Sequence, residues 1–339
     1  MRNTLTKLIA RENLSEAEAR EAFDVVMSGN ASEAEIGGLL TGLAVKGVTP
    51  TELLGAARVM RDRVVQIRTP AESIVLDTCG TGGSKPRRTG KPLFNISTTA
   101  AMLVAACGVK VVKHGNRSAT SLSGSADVLE ALGVRLDLSA ERLSACLAEV
   151  GICFAFARNH HPAMKNVAAA RAALGVPTIF NLLGPLTNPA GAKRQLLGVY
   201  RPEFAPLVAQ TLAELGAERA WVVHAADGLD ELSTAVPSQV AEVRSGRVSM
   251  WTLDPAPLGL IPATAEALHV ESVAASAAAV RAVLAGERGP LRDIAALNAA
   301  AGLVIAGAAA DLKNGLEQVD AAITSGAAKR TLDRLVAFS

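Results

Sequence analysis

Along the first seventy residues, apolar positions recur every three or four places: Phe23 and Val26, then Ile36, Leu39, Leu40 and Leu43, then Leu53 and Leu54. That spacing predicts amphipathic helices. Start signals stand ahead of each run. Ser15-x-x-Glu18 and Ser32-x-x-Glu35 read as capping boxes, and Thr49-Pro50-Thr51-Glu52 adds a proline at the first helical position. Gly29 and Gly47 supply the stops.

From Ser73 the pattern changes to short β-branched runs separated by Ala/Leu-rich stretches of helical length. The runs are Ser73 to Asp77, Val109 to Val112, Ile152 to Phe156, Gly198-Val199-Tyr200 and Trp221-Val222-Val223. This alternation predicts an α/β domain whose mostly parallel central sheet is flanked by helices, beside a small all-helical domain. The expected division is residues 1–70 for the small domain and 71–339 for the large one. Pro162 to Pro189 holds four prolines and interrupts the alternation, so part of 162–190 is expected to cross back and join the small domain. The longest apolar tract, Ala299 to Ala310, is Ala/Gly-rich and closed by Asp311 and Lys313, which predicts a buried helix and no membrane span.

Composition narrows the function classes. The chain of 339 residues is half hydrophobic and 19% charged, enough to bury a large core. Its net charge of +2 gives no overall basic field for nucleic acid, whereas a small anion needs only local cations. Cys79, Cys107, Cys146 and Cys153 show no C-x-x-C spacing, which suits free thiols in a reducing cytoplasm. Arg2, Lys7, Arg11 and Glu12 break up the start of the chain, so no signal-peptide core is expected there.

The chemistry gathers in three motifs. Asp77-Thr78-Cys79-Gly80-Thr81-Gly82-Gly83 places a glycine turn after a strand. Phe94-Asn95-Ile96-Ser97-Thr98 then puts a polar cap before an apolar helix expected over Thr98 to Cys107. Lys113-His114-Gly115-Asn116-Arg117-Ser118 adds a basic loop after the second strand. Glycines let backbone N–H groups approach an anion, a helix N-terminus adds partial positive charge, and Lys113 and Arg117 add full charges. The combination predicts a phosphate site. It is neither a Walker loop nor a dinucleotide fingerprint, so no nucleotide cofactor is implied.

Three other features have two readings each. Asp227-Gly228-Leu229-Asp230-Glu231 gathers three carboxylates after a strand, either as a solvated turn or as a Mg²⁺ site made of hard oxygen ligands. The five histidines lack metal-ligand spacing, and His114 with one of His160 and His161 is better suited to lining an aromatic pocket. Arg171, alone in an apolar helix, is either a snorkelling surface residue or, if turned inward, a carboxylate clamp.

With Ser123-Gly124-Ser125-Ala126-Asp127, Asn159-His160-His161-Pro162 and the run from Thr178 to Pro189 added, the chain resembles the anthranilate phosphoribosyltransferases of tryptophan biosynthesis over nearly its whole length. The resemblance implies transfer of the phosphoribosyl group from phosphoribosyl pyrophosphate to the amine of anthranilate, with Mg²⁺, in a homodimer joined through the small domain. It assigns phosphoribosyl pyrophosphate to Gly80, Gly83, Ser84, Asn95, Ile96, Ser97, Thr98, Lys113, His114, Gly115, Asn116, Arg117, Ser118, Ala119, Thr120, Ser121 and Ser125. Anthranilate falls to Gly80, His114, Asn116, His161 and Arg171, and the metal to Ser97, Asp230 and Glu231. No general base is evident, and the implied chemistry is displacement with inversion and no covalent intermediate. One departure stands out. The family usually follows Gly-Thr-Gly-Gly with aspartate and a short link; here Ser84 takes that place and Lys85 to Leu93 makes the link longer and basic, as either a lid or a solvated insertion. Two other functions stay open: a relative with another acceptor or a nucleoside, and a non-catalytic paralogue that binds nucleic acid through this link. Retention of Asp230 and Glu231 argues against the last, since a binding module needs no magnesium ligands.

Overall fold

The computed structural model describes residues 1–70, 73–82, 93–117 and 124–339. Four helices open the chain: α1 (Arg2–Ile9), α2 (Glu16–Met27), α3 (Glu33–Lys46) and α4 (Pro50–Asp62). All three capping boxes form as the sequence predicts, each hydroxyl accepting from the N3 backbone while the N3 glutamate reaches back to the cap. Gly29 and Gly47 adopt positive φ, +76° and +90°, where a side chain would be strained. Glu52 does more than cap. It is fully buried, accepts from the backbone of Leu14 and Thr49, and pairs with Lys46 at 2.9 Å.

The sheet has seven strands: β1 (Val75–Gly80), β2 (Lys110–Gly115), β3 (Ile152–Phe156), β4 (Arg194–Gly198), β5 (Arg219–Ala225), β6 (Ser238–Arg244) and β7 (Arg247–Leu253). Their order is β3-β2-β1-β4-β5-β6-β7, parallel through β5 and antiparallel beyond it. The mostly parallel sheet expected from the sequence is therefore present, with an added hairpin that the sequence reading did not include. Ser245 and Gly246, at φ 51° and 75°, turn that hairpin. The fourth expected strand, at Gly198 to Tyr200, lies earlier than predicted and ends at Gly198.

Between β1 and β2 runs α5 (Ile96–Ala106). After β2 come α6 (Ser125–Ala131) and α7 (Ala140–Glu149), and after β3 come α8 (Ala157–His160), α9 (Lys165–Leu174) and α10 (Ile179–Leu183). Between β4 and β5 lies α11 (Phe204–Glu214). The chain closes with α12 (Ala265–Leu268), α13 (Val273–Leu284), α14 (Pro290–Ala306), α15 (Leu312–Thr324) and α16 (Ala327–Phe338). The expected apolar helix from Ala299 is the second half of α14, almost wholly buried.

Two apolar cores lie on opposite faces of the sheet. One joins Leu76, Val111 and Val223 to α5, α14 and α16. The other joins Leu197, Val222 and Ala241 to α11, to the first four helices and to α9 and α10, with Phe23 edge-on to Phe180 at 5.8 Å. The proline-rich segment thus packs with the N-terminal helices. Because strand order reverses between β1 and β4, a crevice opens at their carboxyl ends, where open α/β sheets take ligands.

Candidate active site

Two glycines set the floor of the crevice. Gly80 and Gly198 are register partners at the ends of β1 and β4, and the Asp227 to Leu232 turn folds across them. A Cβ at Gly198 would lie 1.5 Å from the Asp230 carbonyl oxygen, and one at Gly80 would lie 3.0 Å from Asp230 Oδ2. Only glycine lets the acidic turn come this close. Asp230 and Glu231 are both buried, and with Ser97, Thr78 and Asn298 they line one small cavity.

The third carboxylate of the motif behaves differently. Asp227 Oδ1 accepts from the Leu229 backbone and Oδ2 from the Ser233 hydroxyl at 2.8 Å, so it shapes the turn instead of joining the site. Among the described residues no three His, Cys, Asp or Glu side chains cluster as metal ligands. Two carboxylates and a hydroxyl fit magnesium nonetheless, because that ion takes one or two carboxylates and fills its octahedron with water and phosphate oxygens.

Helix α5 starts at Ile96, two residues earlier than predicted, which puts Ser97 and Thr98 in its first turn. Asn95 is the cap residue, yet its side-chain oxygen accepts from the Ser276 hydroxyl at 2.7 Å and not from the helix backbone. The Ile96 N–H already donates to Phe94, and its side chain is in the core. Thr98 is buried and lines a second small cavity with Lys113, Met102 and Phe154.

The predicted basic loop is mostly strand. Lys113 to Gly115 end β2, and Lys113 Nζ donates to the Thr78 carbonyl at 2.6 Å and to Ser97 Oγ at 3.2 Å. Its charge therefore sits beneath the α5 N-terminus, beside the hydroxyl that shares the cavity with the acids. Arg117 donates to Asp127 and to both oxygens of Glu130, so its guanidinium is paired with two acids. Ser125 rests on Gly115, where a Cβ would meet its hydroxyl at 2.3 Å. Asn116 holds the turn through Oδ1, which accepts from the Arg117 backbone. Gly83, Ser84, Ser118, Ala119, Thr120 and Ser121, with the basic link after Ser84, lie outside the described residues.

His114 and His161 meet with Nε2 atoms 3.2 Å apart. Both are buried. Burial pushes the His161 imidazole down to about 4 and takes His114 well below the ordinary range, with the neighbouring histidines adding to each shift. The pair is neutral at pH 7, so one ring donates to the other. His160, the last residue of α8, turns away from the pair and contacts the Val65 carbonyl at 2.7 Å, while His161 caps that helix. Arg171 is half-buried on α9 with its guanidinium 5.3 Å from the Phe180 ring centre. Among the described residues no acid lies within ion-pairing distance of it.

Three further residues support the site without having been singled out from the sequence. Asp77, fully buried, accepts from the His114 N–H at 3.1 Å; burial raises its carboxyl despite the opposing influence of Asn188, Lys113 and that N–H. Thr81 ties the glycine turn to β4, donating its backbone N–H to Gly198 and accepting from the Tyr200 N–H at 3.1 Å. Asn298 reaches the acidic turn from α14. Asp77 and Thr81 stand in a quoted motif; nothing local marks Asn298.

Comparison with known proteins agrees with this arrangement. Residues 2–64 match the helical bundle domain of a glycosyl transferase family, and residues 72–329 match its a/b domain. The anthranilate phosphoribosyltransferase of Rhodospirillum rubrum is 54% identical over 96% of this chain and 92% of its own. The chain belongs to the anthranilate phosphoribosyltransferase family. The Thermus thermophilus enzyme of this family superposes with a TM-score of 0.91 at 45% identity, covering 99% of this chain and 98% of its own. The Saccharomyces cerevisiae enzyme, solved with phosphoribosyl pyrophosphate and magnesium, gives 0.89 at 26% identity over 99% and 96% of the two chains.

Proposed function

We propose that this protein transfers the 5-phosphoribosyl group of phosphoribosyl pyrophosphate to the amine of anthranilate, releasing pyrophosphate in a step of tryptophan biosynthesis. The observation that carries the proposal is the convergence of Gly80, Gly198, Ser97, Asp230 and Glu231 on one crevice with Lys113 beneath it. In this reading Ser97, Asp230 and Glu231 hold magnesium, which when bound neutralises charge growing on the departing pyrophosphate. Lys113 adds a fixed positive charge below the α5 N-terminus.

As the anomeric C–O bond breaks, the ribosyl carbon becomes cationic, and the anthranilate nitrogen attacks from the opposite face. The new C–N bond forms with inversion, and the nitrogen gives its proton to solvent. Anthranilate is held by Arg171, whose half-buried guanidinium lies beside the Phe180 ring, and by Asn116 and the neutral pair His114–His161. The protein contributes alignment above all, worth several kcal/mol of barrier on the order of what intramolecular reactions gain.

The same reading divides the chain near residue 70, with part of 162–190 completing the helical domain; the packing of α9 and α10 on α2 to α4 supports it. It also makes the protein a homodimer, supported by Ile9 and Val45, exposed at 85% and 65% on the adjoining α1 and α3. A cytoplasmic enzyme accords with four free thiols.

The test is acceptor choice. With phosphoribosyl pyrophosphate and Mg²⁺ present, anthranilate is expected to be consumed and aniline, which lacks the carboxylate, is not. Arg171→Ala should raise KM for anthranilate about tenfold or more, in line with loss of a charge-assisted hydrogen bond. Equal use of both amines by the wild-type protein would overturn the assignment.

A further inference from the structure

The acidic turn reaches across the crevice from β5, and a turn bearing two buried carboxylates needs a backstop. Burial makes each carboxylate costly. Gly198 supplies the floor, since its missing side chain admits the Asp230 carbonyl. A second contact comes from a residue 66 positions further along the chain than Leu232. Asn298 Oδ1 accepts from the Leu232 N–H at 3.0 Å, and its Nδ2 donates to the Leu232 carbonyl at 2.9 Å and to the Ile294 carbonyl at 2.9 Å.

This is a two-point grip on one residue, Leu232, through the peptide units on either side of it and directly after Glu231. A primary amide can make it because it carries an acceptor and two donors at fixed separation. Asn298 is 1% exposed, is anchored to its own helix through Ile294, and lines the same cavity as Asp230, Glu231, Ser97 and Thr78. Its helix packs against β1, β4 and β5, the strands whose ends form the crevice. A side chain so placed transmits the rigidity of α14 to the carboxylates.

We infer that Asn298 is a positioning residue for the magnesium site, clamping Leu232 so that Asp230 and Glu231 are held in metal-binding geometry. This rests on the function proposed above, which makes those acids metal ligands. Groups that orient metal ligands typically alter affinity 10–100-fold when removed, and the same magnitude is expected here.

The test is Mn²⁺ binding, followed by electron paramagnetic resonance, with phosphoribosyl pyrophosphate present and anthranilate absent so that no turnover intrudes. Asn298→Ala should weaken Mn²⁺ binding about 10–100-fold, by analogy with other groups that orient ligands. Excess metal should restore much of its kcat. Leu303→Ala, a cavity in the same helix made by a fully buried leucine, controls for lost stability: it should lower Tm and leave Mn²⁺ affinity unchanged. Should Asn298→Ala not fold, Asn298→Ser carries the test, because its hydroxyl can bond back to Ile294 while releasing Leu232. Mn²⁺ affinity equal to wild type in the folded variant, or an equal loss in Leu303→Ala, would overturn the inference. A wild-type protein that binds no Mn²⁺ with phosphoribosyl pyrophosphate would instead overturn the proposed function.

Discussion

At the scale of single residues, the site depends as much on missing atoms as on functional groups. Gly198→Ala places a methyl group 1.5 Å from a backbone oxygen, a clash no rotamer relieves. It is expected to displace the acidic turn, lower turnover at least a hundredfold and reduce stability by about 1–3 kcal/mol, the usual range for overpacking. Steady-state rates and Tm measured on one preparation check both. Titration gives a second prediction. His161 has a folded-state value of about 4, below its ordinary 6.5, so the unfolded chain binds the extra proton first. Stability should be full above pH 6.5 and decline as pH falls toward 4, by up to about 3 kcal/mol from this residue. His114 and His160 are lowered as well and act in the same direction. Melting curves from pH 7.5 to 4.5 should show the decline, and His161→Gln should flatten it; an unchanged slope would remove His161 as its source.

At the scale of elements, legibility followed how local each signal was. The capping boxes and the strand Ile152 to Phe156 were readable because a cap spans four residues and a fully buried strand reads as a continuous apolar run. The antiparallel hairpin is hard to read because the alternation of Arg247 to Leu253 breaks at Met250-Trp251 on an exposed edge, and its Ser245-Gly246 turn resembles any surface loop. The glycine turn, the α5 start and the acid pair were each legible as motifs. What they touch was not: the charge of Arg117 is taken up by Asp127 and Glu130, and Asp227 by Ser233, through contacts that no spacing rule encodes. Asn298 was invisible for the same reason, being one polar residue in an alanine-rich helix. An element-scale prediction follows from Glu52, which caps α4 and also pairs with Lys46 in full burial. Glu52→Ala leaves that lysine with only the neutral Asn13 and Gly47 oxygens and the Leu14 N–H without its partner, and should cost about 3–5 kcal/mol. Urea denaturation measures it, and a loss under 1 kcal/mol would reduce the residue to an ordinary cap.

At the scale of the molecule, the fold places its ligands by topology. Reversal of strand order between β1 and β4 opens the crevice, the first apolar core fixes α5 and α14 on one side of the sheet, and the second ties the sheet to the N-terminal helices and to α9, which carries Arg171. Under the proposed function the two substrates take different walls, phosphates at the sheet ends and the aromatic acid toward Arg171 on the helical side. Pyrophosphate release by the wild-type protein and by Asp230→Ala/Glu231→Ala, with anthranilate and phosphoribosyl pyrophosphate saturating and Mg²⁺ varied, tests this account most directly. The wild-type protein should release pyrophosphate one for one with anthranilate consumed and only with Mg²⁺, while the double variant, with Tm within a few degrees, turns over orders of magnitude more slowly. Release that ignores anthranilate, or a double variant as fast as wild type, would contradict it.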